Sequence, residues 1–421
     1  MYEKTTLPNG VRVITAEMPH MRSASTALFF GVGSRFETAE EAGMSHFIEH
    51  MLFKGSERYP TAQAISEAIE GVGGVFNGGT GKELTSYIAK VSSDHFIDAL
   101  DVLIDIVRHP FLDPQELEKE RRVIIEELNM YKDSPQEWVQ VLIDETLWPG
   151  LPLGRDEAGT RESVERITRA QMSEYLRAHY LPNNLVVSVA GKVCHQQVVD
   201  AVAQRVAEWQ PREAPRWEPC PPPRNVPRVR LEQKRTEQVN LCLATPGVAH
   251  SDPARYALIL LNGLLADGMS SRLFQEIRER QGLAYDVGSD IESFHETGAL
   301  VIYAGVDPDR TDATLRAILA ELGRLCTEPV MEAELRRIKQ YTKGRMLLRL
   351  EDTHQVASAL GGEEMLLNRI TGVDEALAQV EAVTADAIQQ LAQRLFQESD
   401  LRLALVGPLK DARHFDRLLH F

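Results

Sequence analysis

Seven prolines crowd into the seventeen positions of residues 211–227, PREAPRWEPCPPPRNVP. Proline fixes φ and lacks a backbone donor, so neither a helix nor a sheet ladder runs through such a stretch. It reads as a stiff, extended linker. It divides the 421-residue chain into an N-terminal part, 1–210, and a C-terminal part, 228–421. A chain of this length outgrows a single core, and its two parts follow one plan. In the first, a strand over 87–91 precedes the helical stretches SSDHFIDALDVLIDIVRHP and DPQELEKERRVIIEELNMY. In the second, a strand over 300–304 precedes DPDRTDATLRAILAELGRL and EAELRRIKQYTKGRMLL. The repetition points to an internal duplication. Long helices among short strands predict an α+β fold of two homologous domains, each a mainly antiparallel sheet covered by helices on one face. Alternating residues around Pro8-Asn9-Gly10 predict a hairpin at the N-terminus.

Charge and composition narrow the function. The net charge is −16 and no basic block occurs, which argues against nucleic acid as a partner. No run of 18 apolar residues suggests a membrane span, and the N-terminus lacks an apolar signal core. A cytoplasmic protein is expected. Cys194, Cys220, Cys242 and Cys326 stand far apart without a C-x-x-C pair, as reduced structural thiols would.

The two parts diverge at GMSHFIEHMLFKG, which has no counterpart in the second half. On a helix, His46 and His50 at i and i+4 point from one face and can take two corners of a tetrahedral zinc. Glu49 lies between them, placed to act on a water at the metal. The order H-x-x-E-H is a zinc-peptidase signature in its own right; the plain alternative is a surface helix with two unrelated histidines. A catalytic zinc usually takes a third protein ligand. The helix predicted over 114–131, capped by Asp113, supplies candidates. Glu120 and Glu127, two turns apart, fall on or beside its apolar stripe of Leu117, Ile124, Leu128 and Tyr131. A carboxylate there needs a metal or a cation, so Glu127 is the candidate third ligand and Glu120 a residue that orients a ligand or substrate group. Structural salt bridges with arginine are the alternative for both.

With these residues in view, the chain resembles the zinc peptidases that include pitrilysin, insulysin and the mitochondrial processing peptidase, in the short bacterial two-domain form. The family pattern places the glutamate ligand about 76 residues after H-x-x-E-H, as Glu127 follows His50 here. GGVFNGGTGKELTSYIAKV, PLGRDEAGTRESV and YLPNNLVVSVAGKV also read as family segments, and SSRLFQEIRERQGLAYDVGS carries Arg278 and Tyr285 seven apart. The resemblance implies one Zn2+ per chain on His46, His50 and Glu127. It makes Glu49 the general base, Glu120 the second acid of the pattern, and Asn77 a contact to the substrate backbone. Arg278 and Tyr285 would hold that backbone or a developing oxyanion; Arg278 is otherwise an exposed helix arginine. Glycine at position 78, where relatives commonly have alanine, is expected to loosen the edge strand.

The resemblance further implies a zinc endopeptidase that hydrolyses unfolded peptides in a chamber formed by a dimer. Both residue sets are present, which favours a homodimer, with a heterodimer left open. The alternatives are a leader-processing subunit that needs a partner and a non-catalytic assembly subunit of the same fold.

Overall fold

Glu3–Thr6 (β1) and Arg12–Glu17 (β2) pair antiparallel, with Thr6 opposite Arg12. Gly10 turns the corner at φ +91°, a conformation open to glycine at little cost, and Asn9 Nδ2 ties the turn to the Val206 carbonyl at 2.7 Å. The expected hairpin is the edge of a six-stranded sheet. Its other members are Ser23–Phe30 (β3), Val75–Thr80 (β4), Thr85–Ser92 (β5) and Leu185–Gly191 (β6), in the order β1-β2-β6-β3-β5-β4. Only β2 and β6 run parallel.

This computed structural model describes residues 2–214, 216–220 and 226–421. Pro215 and residues 221–225, part of the linker expected at 211–227, lie outside the described residues. The chain forms two compact units. The second holds a five-stranded sheet of Val229–Gln233 (β7), Val239–Pro246 (β8), Ala284–Ser293 (β9), Gly298–Val306 (β10) and Arg402–Gly407 (β11), ordered β7-β11-β8-β10-β9. There β7 and β11 are the parallel pair, and the other pairings are antiparallel.

Alternation along β3 shows how each sheet serves two cores. Ala24, Leu28 and Phe30 join the large core with the helices Met44–Leu52 and Phe96–Arg108. Ala27 and Phe29 face the opposite way, onto a smaller cluster with Ala357, Val356, Leu360 and Met365, as the period-2 pleat requires. That smaller cluster is roofed by one helix, Thr353–Leu367, from the second half of the sequence. Gly361 lets it sit close, because a Cβ there would lie 2.4 Å from the Phe29 ring. The second sheet mirrors this. Its β8 and β11 bury one face against Val139, Leu142, Ile143 and Leu147 of the helix Pro135–Leu147, which comes from the first half.

Among the described residues, each sheet thus carries a layer of helices on one face and a single helix on the other. The units are therefore composite rather than the continuous segments 1–210 and 228–421. The first comprises Met1–Leu128, Asp156–Glu218 and Leu347–Gly372; the second comprises Asn129–Arg155, Pro219–Met346 and Val373–Phe421. The reason is that a sheet buried on both faces needs apolar cover twice. Among the described residues, no helix is long and apolar enough to cross a membrane.

Candidate metal centre

The helix Met44–Leu52 begins at Gly43, whose φ of +89° and close approach to the Ala158 carbonyl suit glycine alone. The buried carboxylate of Glu37 accepts from the amides of Gly43 at 2.8 Å and Ser45 at 2.7 Å. It satisfies donors that a helix start leaves open and places negative charge at the positive end of the dipole. Met44, Phe47, Ile48, Met51 and Leu52 are buried in the core. That orientation leaves His46, Glu49 and His50 together on the half-exposed side.

Facing them is the helix Pro114–Asp133. Asp113 Oδ1 accepts from the amides of Gln115 and Glu116 at 2.8 and 3.1 Å, the expected cap, while the Glu116 carboxylate takes Lys119. Leu117 and Ile124 are buried, and Glu120 sits on the same side at only 6% exposure. Glu127, two turns further on, reaches between the histidines. Its Oε2 lies 3.8 Å from His46 Nε2 and 3.7 Å from His50 Nε2, and the imidazole centroids are 4.6 Å apart.

Ligand atoms about 2.0–2.2 Å from a tetrahedral zinc stand about 3.4 Å from one another, so the two separations between Glu127 and the histidines need to close by only a few tenths of an ångström. Among the described residues, this is the one group of three or more His, Cys, Asp or Glu side chains that can hold a metal, its ligand atoms lying within 4.8 Å of one another. Burial first, and then the neighbouring His50, press the His46 pKa down to about 4 against the pull of Glu127 and Glu157. At neutral pH its ring is uncharged, as a ligand must be.

Glu120 completes the arrangement from behind. Its Oε2 lies 3.1 Å from His50 Nδ1 and its Oε1 2.8 Å from Lys54 Nζ. Burial alone would raise its pKa, but the hydrogen bonds from His50 and Lys54 prevail and hold it below the usual value. An ionised Glu120 accepts a hydrogen bond from His50 Nδ1–H and leaves Nε2 turned to the centre, the usual device for fixing a metal-binding tautomer. Glu49 is different. Burial raises its proton affinity, partly countered by the hydroxyl of Thr80, which donates to its Oε2 at 2.6 Å. A carboxylate with raised proton affinity beside a metal-competent cluster is equipped for proton transfer.

Asn77 stands exposed on β4, the last strand of its sheet, with its Oδ1 accepting from the Gly78 amide at 3.0 Å. Gly78 does not loosen that strand. The ladder to β5 is continuous from Val75 to Thr80, and the missing Cβ instead leaves room for Glu49, whose Cγ and Oε1 would lie 2.9 Å from it. Arg278 and Tyr285 belong to the second unit. Arg278 lies on a π-helical turn, Phe274–Arg280, and its guanidinium packs between the rings of Phe274 and Tyr285, 4.9 and 4.7 Å from their centroids. Tyr285, near the start of β9, is 77% exposed.

Sequence reasoning brought His46, Glu49, His50, Glu120 and Glu127 to one place. It missed Lys54, Thr80 and Glu37. Lys54 was signalled by its i+4 spacing from His50. Thr80 was signalled by alternation, since residues 76, 78 and 80 share one face of β4.

Comparison with known proteins finds matches over most of the chain. Residues 12–161 match the family model described as Insulinase (Peptidase family M16), and residues 166–342 match Peptidase M16 inactive domain. An uncharacterized zinc protease of Streptomyces coelicolor is 36% identical over 97% of this chain and 90% of its own length. The uncharacterized zinc protease YmxG of Bacillus subtilis is 35% identical over 97% of this chain and 98% of its own. Among solved structures, a protease from Helicobacter pylori superimposes with a TM-score of 0.91, covering 97% of this chain and 100% of that one at 22% identity. At that identity the match speaks for the α+β fold.

Proposed function

This chain belongs to the insulinase family, peptidase family M16, and from that premise we propose that it is a zinc-dependent endopeptidase acting on unfolded peptides. The observation that carries the reading is the meeting of His46, His50 and Glu127 beside a Glu49 carboxylate of raised proton affinity. His46 Nε2, His50 Nε2 and Glu127 would hold one zinc per chain. Zinc bound there would supply Lewis-acid polarisation of a peptide carbonyl and lower the pKa of water. Glu49, with its raised proton affinity, is the residue that would accept a proton from the attacking water and return it to the leaving amine. Glu120 keeps His50 in the right tautomer through Nδ1, and Lys54 balances the charge of Glu120.

The substrate adds as a further strand to the free edge of β4, where main-chain hydrogen bonds register it with little regard to sequence. Asn77 contributes a side-chain contact on that edge. Arg278 and Tyr285 offer a guanidinium and a phenol for a substrate carbonyl. In the dimer implied by the family resemblance they are supplied across a shared chamber by a second copy of the chain.

The test is metal stoichiometry with turnover. Elemental analysis is expected to give one zinc per folded chain. Cleavage of an unstructured oligopeptide is expected to stop on chelation and resume on zinc addition. A folded protein that takes up no zinc refutes the proposal.

A further inference from the structure

Two features of β4 bear on Glu49 and have no part in metal binding. Thr80 Oγ1 donates to Glu49 Oε2 at 2.6 Å, and the Thr80 amide supplies a further hydrogen bond to the same carboxylate. Two residues back, Gly78 leaves a slot into which the Glu49 side chain fits: a Cβ at 78 would lie 2.9 Å from Glu49 Cγ and Oε1 and 2.9 Å from Phe53 Cε2. Phe53 is itself fixed, with its ring 5.4 Å from Phe76 and 5.9 Å from Tyr87. Glu49 is therefore admitted by Gly78 and latched by Thr80, and Phe53 packs against the same position of β4.

A glutamate has three side-chain torsions and, unheld, samples several staggered rotamers. One carboxylate oxygen engaged by a hydroxyl fixes the plane of the group and leaves the other oxygen available.

We propose that Thr80 is a positioning residue for Glu49, its hydroxyl holding Oε2 so that the carboxylate stays seated in the slot at Gly78, within one helical turn of the metal-binding histidines. The inference rests on the peptidase reading above. It adds that the strand on which substrate docks is also the strand that aligns the base.

The experiment compares the zinc-loaded parent with Thr80→Val and Thr80→Ser on one fluorogenic peptide. Valine keeps the β-branched shape and every backbone bond, so only the hydroxyl is lost. The expected result is a fall in kcat of about 10- to 100-fold in Thr80→Val, the scale of a misplaced catalytic group. KM and zinc content should not change, and Thr80→Ser should recover kcat. A Thr80→Val enzyme with the parent's kcat overturns the inference.

Crystal structures decide the matter independently of turnover, even if the parent proves not to be a peptidase. In Thr80→Val the Glu49 carboxylate, left with the Thr80 amide alone, is expected to turn out of its parent orientation, and in Thr80→Ser to keep it. A Glu49 unmoved in Thr80→Val also overturns the inference.

Discussion

Replacing Glu120 with glutamine keeps the shape of the side chain and removes its charge, which isolates what that charge does for the metal centre. The carboxylate makes two charge-assisted contacts, to His50 Nδ1 at 3.1 Å and to Lys54 Nζ at 2.8 Å. Hydrogen bonds to charged groups contribute about 1.5–3 kcal/mol each. Loss of an outer partner of a metal-binding histidine weakens binding about 10- to 100-fold. At about 1.36 kcal/mol per decade, that range is about 1.4–2.7 kcal/mol, the size of one such bond. A glutamine oxygen can still accept from one partner, so Glu120→Gln is expected near the tenfold end. Glu120→Leu accepts from neither and is expected near the hundredfold end. The assay is competition for zinc against a chromophoric chelator at neutral pH, with circular dichroism to confirm folding. Zinc affinity equal to the parent's in both variants would refute the reasoning. Glu120 would then be only the ion-pair partner of Lys54.

Three further outcomes are expected. In the metal-free protein, burial holds His46 and His179 at a pKa of about 4 against an ordinary 6.5. The unfolded chain takes up these protons first, so the contribution of these two histidines to stability is full above pH 6.5, falls towards pH 4 and levels below it. The slope approaches about 1.4 kcal/mol per pH unit for each histidine. Urea titrations across that range should show it, His179→Gln should remove about half of it, and a flat profile would contradict it. Arg35 is buried, pairs with Glu83 and lies over the Trp217 ring at 5.3 Å. Arg35→Met takes this cation from a buried carboxylate and is expected to cost about 3–5 kcal/mol by denaturation. Gly361→Val drives a side chain into Phe29 and is expected to cost about 1–3 kcal/mol; an unchanged urea midpoint would mean that the helix Thr353–Leu367 does not press on that sheet.

The centre was legible because its logic is local. Helical spacing alone places His46 with His50 and Glu120 with Glu127 on common faces, and a carboxylate on an apolar stripe announces that it needs a partner. The hairpin at Pro8-Asn9-Gly10 and the cap at Asp113 were equally readable, each being set by a few adjacent residues. The exchange of helices between the units was not. The helices Pro135–Leu147 and Thr353–Leu367 carry apolar residues that would suit either sheet, and periodicity states that a face is buried without saying against what. The division at the proline-rich stretch followed sequence continuity, whereas the packing follows the second face of each sheet. Gly78 was misread for a related reason. Glycine in a strand marks either freedom or a close approach, and only the position of Glu49 across the gap decides between them.

The central claim is that Glu49 moves the proton at a zinc held by His46, His50 and Glu127. Its most direct test is cleavage of a mixed library of unstructured peptides by the zinc-loaded parent and by Glu49→Gln, with zinc measured in both. The account predicts that the parent cleaves and that the variant, carrying the same zinc, does not. Equal cleavage by a zinc-bearing Glu49→Gln protein would contradict it.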